Sequence, residues 1–195
     1  MSASTSSPLR LGIAGLGTVG AGVIKLLETN KDLITARAGR ALQVVAVSAR
    51  NRSQDRGVSL EGLRWYDNAI DLAADPEVDV VVELIGGAEG PARALVEAAL
   101  AAGKAVVTAN KALIALHGAA LAQSSAANNA PLLYEAAVAG GIPAIKTVRE
   151  GLAADRLLRI GGILNGTCNY ILTVMRATGK DFATVLADAH KLGYA

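Results

Sequence analysis

A glycine-rich turn set directly after an apolar strand and directly before an amphipathic helix constrains this chain more than any other feature. Leu9 to Ala14 reads as the strand, Gly15-Leu-Gly17-Thr-Val-Gly20 as the turn, and Thr18 to Ile34 as the helix, with Val19, Val23, Leu26 and Leu27 recurring at helical spacing. The spelling GxGxxG alone is weak, and turn glycines in any α/β protein can produce it. In this context it has a physical reading: Gly15 permits the tight turn, Gly17 lets backbone approach a pyrophosphate, and Gly20 allows close packing of helix on strand. The helix start then offers unpaired N–H groups and a partial positive charge to phosphate oxygens.

The rest of the chain supplies the partners such a unit needs. Leu42 to Ser48 reads as a second strand, Val78 to Gly87 as a third, Ala105 to Asn110 as a fourth and Ala130 to Val138 as a fifth. The third is almost continuously apolar, as expected of a parallel strand covered on both faces. Helical stretches alternate with these strands: Gly90 to Lys104, with Pro91 in its first turn, and the Ala-rich Lys111 to Asn129. Alternation of this kind predicts right-handed βαβ units in a doubly wound, Rossmann-type parallel sheet of the α/β class.

From about Tyr134 the pattern changes. Gly140 to Leu152 reads as a helix, Leu157 to Leu164 as a strand, and Asn165 to Lys180 and Phe182 to Gly193 as two more helices, the opening of an α+β domain. The expected organisation is a disordered Ser/Thr-rich leader at 1–8, a dinucleotide-binding domain at 9–133 and an incomplete catalytic and dimerisation domain at 134–195. The last helix carries an apolar stripe, Val185, Leu186, Ala189 and Leu192, with nothing downstream to cover it. The chain therefore reads as a fragment of a longer protein.

Composition closes several alternatives. The 195 residues are 52% hydrophobic with a net charge of +2, so general disorder is excluded. One Trp, four Tyr and one Phe make no stacking platform, and the small basic excess does not point to nucleic acid. No apolar run approaches the ~18 residues of a membrane span, and the N-terminus lacks signal architecture, so a cytoplasmic protein is expected. A single cysteine, Cys168, rules out a disulfide framework and Cys-clustered zinc, and His117 and His190 lie far apart. Without secretion, Asn51-Arg-Ser and Asn165-Gly-Thr are chance matches to the glycosylation pattern.

An NAD site usually has a carboxylate at the end of the second strand for the ribose hydroxyls. Here the segment reads Ser48-Ala-Arg50-Asn-Arg52-Ser53, with no carboxylate before Asp55. Guanidinium forks and a hydroxyl favour a 2′-phosphate, hence NADP over NAD, unless the segment is a solvated loop turned away from the ribose. A phosphotransferase is disfavoured: Gly179-Lys180 is followed by Asp181 where a Walker loop needs Ser or Thr, and Val174 stands where it needs Gly.

Four residues are candidates for chemistry beyond the cofactor. Lys111 sits where the fourth strand gives way to a helix, at the ligand-binding edge of the sheet, where it either meets the cofactor's reactive end or is a solvated first-turn residue. Glu135, beside a Gly-Gly pair, either belongs to a tight turn or joins backbone carbonyls in holding a hard cation. Thr167 is a polar contact or a helix cap. Cys168 could be the nucleophile of a semialdehyde dehydrogenase, but a buried, helix-borne Cys without a His partner is the expected inert case.

Taken in order, GLGTVG, VVELIGG, VVTANKALIA, YEAAVAGGIPAI, GILNGTCNYIL and KLGYA resemble homoserine dehydrogenase from Leu9 to Ala195. The resemblance implies NAD(P)H-dependent reduction of L-aspartate 4-semialdehyde to L-homoserine, on the branch to threonine, methionine and isoleucine. It also implies a homodimer acting on a small-molecule substrate, often with a C-terminal regulatory domain. Carried over by motif, Gly15, Gly17, Thr18, Val19 and Gly20 hold the pyrophosphate, and Arg50, with Arg52 nearby, lies at the adenosine ribose. Ile85 and Gly86 border the nicotinamide, Lys111 touches cofactor and reaction centre, Gly193 contacts the cofactor and Thr167 the substrate. A monovalent cation, sodium, is held by backbone oxygens of Glu135, Val138, Gly140 and Ile142. The family places an acidic residue directly after the GYA motif, then an Asp and a proton-donating Lys, none of which this chain contains. The resemblance thus implies a fragment that binds cofactor but turns over poorly. The competing reading is a non-catalytic dinucleotide-binding or redox-sensing module.

Overall fold

A computed structural model describes residues 7–162 and 165–194. The leader expected at 1–8 therefore falls outside the described residues through residue 6, as do two residues of the strand expected at 157–164. The chain divides into two compact units, residues 1–137 and 138–195.

The first unit is built on six parallel strands, β1 (Leu9–Ala14), β2 (Leu42–Ser48), β3 (Arg64–Tyr66), β4 (Val80–Glu83), β5 (Ala105–Thr108) and β6 (Leu132–Leu133). Their order across the sheet is β3-β2-β1-β4-β5-β6. Successive connections therefore run one way from β1 to β3 and the other way from β4 to β6, and the reversal lies between β1 and β4. In open α/β sheets, ligands bind at the carboxyl ends of the strands beside that reversal.

Each central strand sends alternate side chains into two apolar layers. Ala14, Ala46, Val81 and Val106 join Leu72 of α3 (Asp71–Ala74), Leu95, Val96, Ala99 and Leu100 of α4 (Pro91–Ala101), and Leu113 and Leu121 of α5 (Lys111–Ala127). Ile13, Val47 and Val82 face the opposite layer with Leu16 of the glycine turn and Ile24 of α1 (Thr18–Thr29). Full burial of such side chains contributes roughly 1.5–3 kcal/mol each, which makes this two-faced core the principal stabilising element of the unit.

Several expectations are corrected here. The helix expected from Thr18 to Ile34 breaks at Asn30, where α2 (Lys31–Ala38) begins. The face that α1 buries is Gly20 and Ile24, and Val19 (59% exposed) and Leu26 (55%) point outward. Contact of Gly20 with the glycine turn sets this rotation. The strand expected from Val78 to Gly87 is only β4, and β3 and α3 were not foreseen. The fifth expected strand is the two-residue β6, followed by a 3-10 turn at Glu135–Ala137.

In the second unit the helix expected from Gly140 starts only after Pro143, as α6 (Ala144–Lys146) running into a π-helical turn, Thr147–Gly151. Residues 157–162 form no strand; a strand needs backbone partners, none of the described residues pairs with them, and Leu158 is 85% exposed. Two helices, α7 (Gly166–Thr178) and α8 (Phe182–Lys191), form a hairpin, with Gly179 closing α7 in the left-handed conformation and Asp181 capping α8. Val185 and Ala189 of the supposedly uncovered stripe are buried against Ile171, Tyr170, Val174 and Met175 of α7, and Leu192 remains exposed. Among the described residues no helix is long and apolar enough to cross a membrane.

Candidate functional site

The glycine turn is held at its base by hydrogen bonds from neighbouring strands. Gly15 N–H donates to Ser48 O at the end of β2 (2.8 Å), and Leu84 N–H donates to Ala14 O at the end of β1 (2.7 Å). Gly15 has φ +94°, and a Cβ there would lie 2.5 Å from Leu84 O. A Cβ on Gly20 would lie 2.0 Å from Gly15 O, so the start of α1 can approach the strand only as glycine. Gly17 differs: nothing in the protein lies within 4 Å of where its Cβ would be. The protein's own packing does not require this glycine, and the open space is what a closely approaching ligand needs.

A crevice of about 970 Å³ opens beside this turn. Gly15, Leu16 and Gly17 line one part, Ser48, Ala49, Arg50, Asn51, Gln54 and Arg56 another, and Asp67, Asn68, Ala69, Leu84, Ile85, Gly86 and Pro91 the remainder. Thr18, Val19 and Gly20 form the first turn of α1, whose N–H groups have no partner inside the helix. Among the residues expected to hold a cofactor, the fold brings Gly15, Gly17, Arg50, Ile85 and Gly86 to this one crevice. Arg52 is not among its lining residues; its guanidinium lies over the Trp65 ring, 5.8 Å from the centroid.

Arg56, which sequence reasoning missed, organises this side of the crevice. It donates to Leu16 O on the glycine turn (Nε, 3.1 Å), to Gln54 O (2.7 Å) and to Asn51 O, and stacks over Trp65 at 5.4 Å. The loop after β2 is thereby tied to the glycine turn. Glu83, also missed, ends β4 with 0% exposure. Its Oε1 accepts from Ile85 N–H (2.8 Å) and Gly86 N–H (3.1 Å), and its Oε2 from the Thr108 hydroxyl (2.5 Å). A charged residue in an otherwise all-Val strand was the signal, because burial of a carboxylate demands nearby donors.

Lys111 is the first residue of α5 and is exposed. Its neighbour Asn110 caps the helix, accepting from Leu113 N–H (3.1 Å), and donates to Gly87 O (2.6 Å), which joins the start of α5 to the loop after β4.

The cation ligands expected from the motif are divided between the units, Glu135 in the first and Val138, Gly140 and Ile142 in the second. Ala139 (φ +56°) and Gly140 (φ +62°) are both left-handed, and Ile142 O accepts from Ala144 N–H (2.8 Å). Among the described residues no group of three or more His, Cys, Asp and Glu side chains is placed to hold a metal ion.

In the second unit Thr167 meets Tyr194, the residue after Gly193. The cap of α7 is Asn165, which accepts from Cys168 N–H (2.8 Å), and not Thr167. The Thr167 hydroxyl donates to Tyr194 O, and the rings of Tyr170 and Tyr194 stack with centroids 4.7 Å apart. Cys168 is exposed rather than buried, because the first turn of α7 lies outside the α7–α8 contact.

Residues 15–135 match the protein family described as "Homoserine dehydrogenase, NAD binding domain", and residues 143–195 the family described as "Homoserine dehydrogenase". A homoserine dehydrogenase of Pseudomonas aeruginosa is 48% identical over 190 residues, taking in 96% of this chain and 43% of that protein. The crystal structure of a homoserine dehydrogenase from Thiobacillus denitrificans matches with a TM-score of 0.83 at 48% identity, over 98% of this chain and 44% of that one. A hyperthermophilic archaeal homoserine dehydrogenase solved with NADPH shares the fold (TM-score 0.76, 23% identity, 96% of this chain and 62% of that one). The chain spans somewhat under half the length of the two bacterial proteins.

Proposed function

The chain belongs to the homoserine dehydrogenase family, and on that premise we propose that it carries the NADP(H) site of an enzyme reducing L-aspartate 4-semialdehyde to L-homoserine. The observation that carries this reading is the contrast between Gly20, which the fold requires, and Gly17, which it does not. An unforced glycine on the open wall of a crevice, at the start of a helix, fits the pyrophosphate of a dinucleotide. Arg50 on the same crevice, with no carboxylate at the end of β2, favours the 2′-phosphate of NADP over the free hydroxyl of NAD.

Bound NADPH supplies the hydride that the aldehyde carbon accepts. The chain's own residues bind and orient: the first turn of α1 holds phosphate oxygens, and Ile85 and Gly86 border the nicotinamide. Lys111, exposed at the start of α5, stabilises negative charge near the reacting oxygen. Backbone oxygens of Glu135, Val138, Gly140 and Ile142 hold a monovalent cation, sodium; the Ile142 carbonyl, with one hydrogen bond made, keeps a lone pair for it. Gly193 contacts the cofactor and Thr167 the substrate, with Thr167 using its hydroxyl oxygen as acceptor because its proton is directed at Tyr194. Residues 9–133 are the dinucleotide-binding domain and 134–195 belong to the catalytic and dimerisation domain of a cytoplasmic homodimer in threonine, methionine and isoleucine biosynthesis.

The test is NADPH oxidation by the complete enzyme on addition of L-aspartate 4-semialdehyde. Aldehyde-dependent oxidation is expected. Binding of NADPH with no oxidation under any aldehyde concentration would leave a dinucleotide-binding module instead.

A further inference from the structure

Glu83 is the one fully buried carboxylate among the described residues, and no step of the proposed reaction uses it. It lies at the centre of the sheet, at the end of a strand whose other residues are Val80, Val81 and Val82. Taking a carboxylate out of water costs several kcal/mol unless donors replace the lost solvent. The donors it has found are specific: two consecutive backbone N–H groups of the loop after β4, at Ile85 and Gly86, and the hydroxyl of Thr108 at the end of β5. Thr108 Oγ1 in turn accepts from Asn110 N–H (3.0 Å), and the Asn110 amide returns to Gly87 O. The loop and the start of α5 are thus closed into one hydrogen-bonded ring, with Gly86 (φ +86°) and Gly87 (φ +82°) held in left-handed conformations.

This ring gives the crevice two unlike ends. At the glycine turn, free N–H groups of α1 await an anion. At Ile85 and Gly86 the N–H groups are turned inward to Glu83, so this wall offers no donor at those positions and is an apolar side chain plus glycine. Such a wall suits a flat, uncharged ring and not a phosphate. Resting on the cofactor-site reading above, we propose that Glu83 is a positioning residue: through Thr108 and Asn110 it sets the loop that borders the nicotinamide half of the dinucleotide and its spacing from Lys111.

The test compares two ligands on the 195-residue chain by calorimetric titration: NADPH, and adenosine 2′,5′-bisphosphate, which lacks the nicotinamide half. Thr108→Val keeps the side-chain shape but removes the hydroxyl; Thr108→Ser keeps the hydroxyl and leaves a small void. Thr108→Val is expected to weaken NADPH roughly five- to tenfold and adenosine 2′,5′-bisphosphate by less than about twofold, whereas Thr108→Ser stays within about twofold for both. Glu83→Gln should follow Thr108→Val with a larger effect; if it fails to fold, Thr108→Val decides. Equal loss of both ligands, no loss of either, or a loss in Thr108→Ser matching that in Thr108→Val would overturn the proposal while leaving the cofactor site standing. A native chain that binds neither ligand overturns both.

Discussion

Thr108 Oγ1 donates a 2.5 Å hydrogen bond to Oε2 of Glu83, and both side chains are buried where β5 and β4 end. Since Glu83 also satisfies Ile85 and Gly86, its removal leaves three donors without an acceptor. Glu83→Ala is expected to lower unfolding free energy by about 3–5 kcal/mol, from lost hydrogen bonds plus the cavity. Urea denaturation followed by circular dichroism measures this, and a loss below about 1 kcal/mol would show that the ring is not satisfied through Glu83.

The two glycines of the turn should respond in opposite ways. Gly20→Ala places a Cβ against Gly15 O and cannot be relieved by a flexible side chain, so the melting temperature should fall by roughly 10 °C or more. Gly17→Ala meets nothing in the protein and has φ −75°, so stability should hold within about 2 °C. Dinucleotide affinity should nonetheless fall at least tenfold, on the order of 1.4 kcal/mol, because the new methyl faces the ligand. Thermal melts paired with NADPH titration separate the two.

Two arginines of the loop after β2 should also be distinguishable. Arg50 lines the crevice and has no hydrogen-bond partner among the described contacts, whereas Arg56 donates to three backbone carbonyls. Arg50→Ala is expected to weaken NADPH by about tenfold or more and NADH by little. Arg56→Ala should weaken both alike, because it loosens the loop instead of removing a phosphate contact. Parallel titrations with the two cofactors check this, and equal losses in Arg50→Ala would remove the 2′-phosphate role.

What could be read in advance follows from how local the signals are. β1, the glycine turn, β2 and α4 carry their pattern within a few residues, in apolar runs, glycines and Pro91, and the structure places them where the pattern does. β3 is only Arg64-Trp65-Tyr66, an edge strand defined by pairing with Ala46, Val47 and Ser48, and its sequence shows no apolar run. In α1, Val19 and Leu26 recur at helical spacing yet lie exposed, because close approach at Gly20 decides which face is buried. Arg56 and Glu83 act through residues 40 and 25 positions away, Leu16 and Thr108, and such partners emerge only when the sheet brings strand ends together.

Acid should act at the amino ends of the central strands, opposite the crevice. Arg10 binds Asp79 through Nε (3.0 Å), Nη2 (2.7 Å) and its backbone N–H (2.9 Å), and these bonds hold the Asp79 carboxyl down at about 2, from an ordinary 3.8. Because the folded value is depressed, the stabilising contribution is present above about pH 4 and is lost as pH falls through about 2. Asp79→Asn should lower stability at pH 6 and flatten the decline between about pH 4 and 2, as read from urea midpoints across that range. An unchanged slope would show that other carboxylates govern acid unfolding.

The most direct measurement of the cofactor site uses the chain's single tryptophan, Trp65, which lies beneath Arg52 and Arg56 beside the crevice. Titration of NADPH should quench its emission saturably at one site per chain, at lower concentration than NADH, and in Gly17→Ala the midpoint should move at least tenfold higher. A linear, unsaturable response, or saturation that persists unchanged in Gly17→Ala, would contradict the assignment of this crevice to the dinucleotide.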